Sequence, residues 1–152
     1  MNPTFSLRQA TLADLDDLSQ LFDAYRQFYG KSSDLPAARA FLRQRFEHGE
    51  STLFLANQDG IALGFCQLYP SFSSVSLART FILNDLFVLP SARRTGVGRA
   101  LLDAALDYGR ALGAVRLSLS TAVTNETAQT LYQAAGWQRD AQFYVYHYPL
   151  PA

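Results

Sequence analysis

Cysteine is nearly absent from this chain. Cys66 is the only one, so no internal disulfide can form and no thiolate cluster can hold zinc or an iron–sulfur centre. Amid strand-like neighbours it reads as a buried apolar filler. Excess charge of either sign is missing too: 13 basic residues offset 13 acidic ones, which removes any global attraction to nucleic acid or an anionic membrane. An anion that binds here has to be gripped locally. No segment approaches the roughly 18 consecutive apolar residues of a membrane span. Residues 1–10 lack the basic start and apolar run of a secretory signal, so the cytoplasm is the default compartment. Histidine is scarce, with two in the chain. His48 falls near a helix end, where a cation suits the dipole, and His147 stands alone among tyrosines. His48 reads as a surface residue and His147 as a structural one, and no metal site is expected.

What is present is the material of a packed globule. The 152 residues, 49% hydrophobic and 17% charged, suit one domain over 1–152 with one substantial core. Residues 5–8 read as a short strand. Thr11 with Asp14 three positions on resembles a capping box, and Leu15, Leu18, Leu21, Phe22, Tyr25, Phe28 and Tyr29 recur at helical spacing up to Gly30. Asp34 caps a second helix with Pro36 in its first turn. Runs at 52–56 and 61–69, joined across Asp59-Gly60, predict an antiparallel hairpin. Residues 70–76 read as a serine-rich loop and 80–89 as a strand ending at Pro90. A helical stripe from Val97 to Leu112 precedes a strand at 115–120. Asn125 or Thr124 opens a further helix that Gly136 closes, and 142–148 alternates as a last strand. The order predicts an α/β fold, a mixed sheet with helices on both faces.

Two segments carry chemistry. In the first, Arg93-Arg94-Thr95-Gly96-Val97-Gly98-Arg99 lies at a strand-to-helix junction. Its glycines let a backbone approach a ligand, and the free N–H groups of a helix's first turn favour an anion. A Walker loop is excluded because Gly98 is followed by Arg99 and Ala100, and a Rossmann fingerprint because its third glycine would fall at Leu101. Alone, the segment reads sooner as a glycine-rich turn flanked by solvated arginines. In the second, Ala128, Leu131, Tyr132 and Ala135 share a helix face. By periodicity Tyr132 is a core tyrosine, Asn125 a cap and Gly136 a helix terminator.

Taken together, in this order and with a strand between them, the two segments resemble the GNAT superfamily of N-acetyltransferases. Arg93-x-x-Gly96-x-Gly98 is similar to the family's pyrophosphate-binding signature, and Asn125-x-x-Ala128-x-x-Leu131-Tyr132-x-x-x-Gly136-Trp137 to its second signature. Within the family, Leu83-Asn84-Asp85-Leu86-Phe87-Val88 resembles the diamine (spermidine/spermine) acetyltransferases, which place a glutamate where this chain has Asn84.

The resemblance implies a GNAT-like fold and acetyl-CoA as co-substrate. The pyrophosphate would sit on the backbone of Arg94, Thr95, Gly96, Val97, Gly98 and Arg99, behind Arg93. Leu86, Phe87 and Val88 would pair with the pantetheine arm like an added strand. Asn125 and Ala128 would adjoin the coenzyme, and Tyr132 would stand beside the thioester sulfur, where a phenol can protonate the leaving thiolate. Asn84, Asp85 and Ser118 stand as acceptor-side candidates. Asp85 has three readings: general base, orienter of a water relay, or a carboxylate paired with an arginine. The implied reaction is direct transfer in a ternary complex to an amine of a small molecule or peptide. A non-catalytic acyl-CoA-binding module and a transferase of longer acyl groups are the alternatives. Family members often pair as homodimers.

Overall fold

Asp59 and Gly60 both adopt positive φ, 52° and 78°, the left-handed pair that suits a tight hairpin turn. From this turn β2 (Thr52–Gln58) and β3 (Ile61–Ser73) run antiparallel. In this computed structural model residues 4–152 are described. The chain forms two compact units, Met1–Ser120 and Thr121–Ala152.

In the first unit, β1 (Ser6–Gln9) and β4 (Ala78–Val88) complete an antiparallel set, and the short β5 (Leu117–Ser118) adds in parallel beside β4. The sheet order is β1-β2-β3-β4-β5. Alternation sorts its side chains onto two covered faces. On one, Leu53, Leu55, Phe65 and Phe87 pack with Leu18, Leu21 and Phe22 of α1 (Leu15–Phe28) and Ala38 and Leu42 of α2 (Leu35–Glu47). On the other, Phe54 and Phe81 place their ring centres 5.7 and 5.5 Å from Tyr108 of α3 (Val97–Ala111). Leu18, Leu42, Leu101 and Leu102 are fully enclosed, each contributing about 1.5–3 kcal/mol of burial. Helices on both faces of a mixed sheet are therefore observed.

One irregularity positions everything that follows. Gln67 pairs with Asp85 but Leu68 pairs with Leu83, so Asn84 is an extra residue in β4. A bulge of this kind reverses which alternate residues face which side. Phe81 faces α3, whereas beyond the bulge Phe87 meets Tyr25 of α1 at 6.1 Å. Asp85, two residues from Phe87, is thereby directed to the α1 face.

Two strands differ most in extent from the sequence reading. Residues 70–73, expected in a loop, extend β3, because Ser71, Phe72 and Ser73 each find a β4 partner. The strand expected at 115–120 contracts to Leu117–Ser118, with Val115 N–H donating to the Arg79 carbonyl at 2.9 Å.

In the second unit, residues 142–148 form no ladder. Both alternating sets there are exposed, Phe143 at 75% and Tyr144 at 90%, and alternation specifies a strand only where one set is covered. This unit contains α4 (Glu126–Ala134), which Asn125 caps by accepting from Ala128 N–H at 3.2 Å. Gly136 has φ 92°, Trp137 N–H donates to the Tyr132 carbonyl and Gly136 N–H to the Gln133 carbonyl. That pattern is a Schellman cap, whose usual apolar contact is supplied by Tyr132 and Trp137, ring centres 6.3 Å apart.

Candidate active site

The turn between β4 and α3 is built from backbone. Arg94 and Gly96 both have positive φ, 64° and 91°, and Gly96 is the N-cap of α3 without any side-chain cap bond. Among the described residues no acceptor takes the N–H groups of Arg94, Thr95, Gly96, Val97, Gly98 or Arg99. Alternating left- and right-handed residues ahead of a helix direct consecutive N–H groups into one concavity, which favours an anion. A Cβ on Gly96 would meet nothing within 4 Å, so the space beside it is open and the turn fits a pyrophosphate. Arg93 is committed elsewhere: its Nε–H donates to the Val88 carbonyl at 3.0 Å, and its guanidinium lies 5.6 Å from the Phe28 ring centre and 5.9 Å from that of Phe87. It ties the turn to the end of β4. Thr95 Oγ1 donates to the Ala92 carbonyl, and Arg99 pairs with Asp103 at 3.2 Å.

Beside this turn β4 presents an open edge. The β4–β5 pairing is confined to Phe81 with Leu117 and Ile82 with Ser118. Past that point Leu86, Phe87 and Val88 have no β5 partner among the described residues, as an edge that accepts an added strand requires. Ser118, exposed, lies opposite Ile82, two residues along β4 from Asn84.

Asp85 is the centre of a buried polar network. The residue is 3% exposed. Its Oδ2 accepts from Gln67 Nε2 at 2.5 Å and its Oδ1 from Asn84 Nδ2 at 3.0 Å. Ser51 Oγ donates to Gln67 Oε1 at 2.8 Å, and Tyr25 Oη donates to the Asn84 carbonyl at 3.3 Å. Among the described residues no cation pairs with Asp85, so the arginine-paired reading of it does not hold. Burial pushes its carboxyl above the ordinary range, while hydrogen bonds from Gln67, Asn84 and Tyr25 pull the other way. Gln67 and Ser51 were not singled out in the sequence, and Tyr25 was read only as part of the apolar face of α1. For Gln67 a signal existed: a primary amide in the otherwise apolar run Phe65-Cys66-Gln67-Leu68.

Cys66 is fully buried on the opposite face, and burial pushes its thiol up to about 12. A thiol so held is not a nucleophile at neutral pH. Among the described residues no cluster of His, Cys, Asp or Glu could hold a metal, and no helix is long and apolar enough to cross a membrane.

The second unit carries the other signature. Tyr132 is half-buried against Trp137. Asn125 uses Oδ1 to cap α4, and its Nδ2 has no acceptor among the described residues. Ala128, whose N–H receives that cap, is half-buried.

The mixed sheet is covered on both faces, and the turn at the head of α3 offers its N–H groups to an anion. The sequence profile of the acetyltransferase (GNAT) family matches residues 16–137. An uncharacterized N-acetyltransferase of Bacillus subtilis, YhfO, is 46% identical over 147 residues, covering 97% of this chain and 99% of the relative. The crystal structure of a probable acetyltransferase matches at TM-score 0.92 and 46% identity, covering 97% of this chain and 99% of that one. An aminoglycoside N-acetyltransferase in complex with CoA matches at TM-score 0.81 and 22% identity, covering 99% and 98%. The chain belongs to the GNAT family, and it is an acetyltransferase.

Proposed function

We propose that this protein transfers the acetyl group of acetyl-CoA directly to a cationic primary amine of a small molecule, in a ternary complex and without an acyl-enzyme. The observation that carries this reading is Asp85: a buried carboxylate with neutral hydrogen-bond donors and no cationic partner among the described residues. Burying such a charge is costly unless something pairs with it, and an ammonium supplies both the counter-charge and the proton to be removed.

Acetyl-CoA when bound supplies the thioester carbonyl that the amine attacks and the sulfur that leaves. The backbone of residues 94–99 holds the pyrophosphate, with Arg93 bracing the turn against Val88. Leu86, Phe87 and Val88 offer their edge to the pantetheine arm, and one of their N–H groups polarises the carbonyl. Asn125 and Ala128 adjoin the coenzyme. Asp85, directly or through a water, accepts one proton from the ammonium, which frees the lone pair that attacks; the N–C bond then forms, the C–S bond breaks, and the second proton lost by nitrogen leaves through water. Tyr132 returns a proton to the departing sulfur, an assignment that rests on its place in the second signature. Asn84 and Ser118 contact the acceptor. The elevated Cys66 thiol is consistent with direct transfer.

The substrate class is supported from two directions: the diamine-acetyltransferase resemblance around Asp85, and a structural neighbour that acts on aminoglycosides. Both acceptor types are polycationic amines. Homodimer pairing and a cytoplasmic setting are carried with this reading. The test is release of free thiol from acetyl-CoA across a panel of polyamines, aminoglycosides, neutral amines and alcohols, with both substrates varied. Turnover of cationic amines with intersecting initial-velocity lines is expected. Parallel lines, or turnover restricted to alcohols, would overturn it.

A further inference from the structure

The Asp85 carboxylate is not presented by β4 alone. Gln67, fully buried on the neighbouring strand, directs Nε2 at Asp85 Oδ2, and Ser51, at the entrance to β2, donates to the other end of the same amide. The arrangement has a definite polarity. The carboxylate, which only accepts, fixes the N–H₂ end of the amide toward itself, since a flipped amide would set Oε1 against Oδ2, two acceptors in contact; the Ser51 hydroxyl then donates to Oε1 and holds that end in place. A buried amide costs free energy unless both ends are satisfied, and here the second partner is an acid rather than another part of the core. The bulge at Asn84 brings Asp85 opposite Gln67.

We propose that Gln67, oriented by Ser51, is a positioning residue for the transfer step: its amide fixes the Asp85 carboxylate and keeps it available as the proton acceptor for the incoming amine. This rests on the reading of Asp85 given above. Gln67 touches the base and acts only through it.

Burial acts most strongly on the Asp85 carboxyl and pushes it up, and the Gln67 amide is the foremost of the three donors, with Asn84 and Tyr25, that pull the other way. Tyr25 approaches from α1 and Tyr69 from β3, where burial foremost and the Asp85 charge push its phenol up to about 12. Cys66, on the other face of β3, is also held at about 12. Arg45 of α2 acts on Tyr69 rather than pairing with Asp85; its partner is Glu50 at 3.0 Å. Among the described residues no cation pairs with Asp85 to substitute for the amide if it is removed.

The test is the pH dependence of kcat/KM, measured as thiol release with a cationic amine, for wild type, Gln67→Met, Ser51→Ala and Asp85→Asn. Methionine keeps the length of the side chain and removes its donor. A hydrogen bond to a charged group is strong enough that its loss moves the acid limb of Gln67→Met upward by about one pH unit. The limb of Ser51→Ala moves the same way by less, and that of Asp85→Asn disappears. Affinity for CoA, read by calorimetry, stays at the wild-type value in all three. An unshifted limb in folded Gln67→Met, while Asp85→Asn has lost its limb, overturns the role of Gln67 and leaves Asp85 standing. An unchanged limb in Asp85→Asn overturns the reading of Asp85 itself. If Gln67→Met does not fold, Ser51→Ala decides: a limb at the wild-type position counts against the proposal.

Discussion

The two ends of the β4 segment present their polar groups by opposite means. Past Val88 the turn into α3 offers backbone N–H groups, with Gly96 at φ 91° and open space where a Cβ would stand. Three residues before Val88, Asp85 offers a side chain whose donors come from β3 and from the bulge itself. A backbone-made site depends on local conformation and tolerates change in most side chains. A side-chain site depends on distant partners, and loses its function through substitutions at residues that touch no ligand.

Substitutions at the turn should therefore act on coenzyme affinity, and substitutions in the network on the chemical step. The largest effect on affinity is expected for Gly96→Val: a β-branched residue at positive φ is strained by about 1–3 kcal/mol, which weakens CoA binding about 10- to 100-fold by calorimetry. Native affinity in a folded variant would show that the turn does not hold the coenzyme. Next comes Tyr132→Phe, which keeps the ring against Trp137. General-acid help is commonly worth 100-fold or more, and water replaces part of it, so kcat should fall about tenfold with CoA affinity retained. Wild-type kcat would return Tyr132 to a structural role and leave the protonating group unassigned.

Arg93→Met should do less. It removes the bond to the Val88 carbonyl but keeps apolar contact with Phe28 and Phe87. Loss of one such bond weakens CoA binding by about three- to tenfold; a larger loss with a steep salt dependence would instead indicate direct contact with phosphate. The smallest effect concerns stability. Because the folded carboxyl of Asp85 titrates above its unfolded value, its contribution to stability is fullest below the unfolded value of about 3.9 and is lost as pH rises through the folded one. The melting temperature of Asp85→Asn relative to wild type should therefore be higher near neutral pH, and that advantage should shrink as pH falls toward about 4. A pH-independent difference would show that the burial of Asp85 is not felt as charge.

The same contrast explains what the sequence made legible. The turn could be read directly, since glycine spacing and a helix start determine where N–H groups point, and Arg93 through Arg99 lie consecutively. The hairpin at Asp59-Gly60, the Asp34 and Asn125 caps and the amphipathic faces of α1 and α3 were legible for the same local reason. The network was not. Ser51, Gln67 and Asp85 belong to different strands or their entrances, and the register that joins them depends on Asn84 being an extra residue, which no local pattern announces. Residues 142–148 mark the opposite case: their alternation was read correctly, but their side chains are exposed on both sides.

The central claim, that the unpaired Asp85 carboxylate selects and deprotonates a cationic acceptor, is tested most directly by comparing kcat/KM for a cationic primary amine and a neutral primary amine of similar size in wild type and Asp85→Asn. The account predicts that wild type prefers the cationic amine and that Asp85→Asn loses both that preference and about 100-fold or more of the rate with it. An equal preference in the two proteins would contradict it.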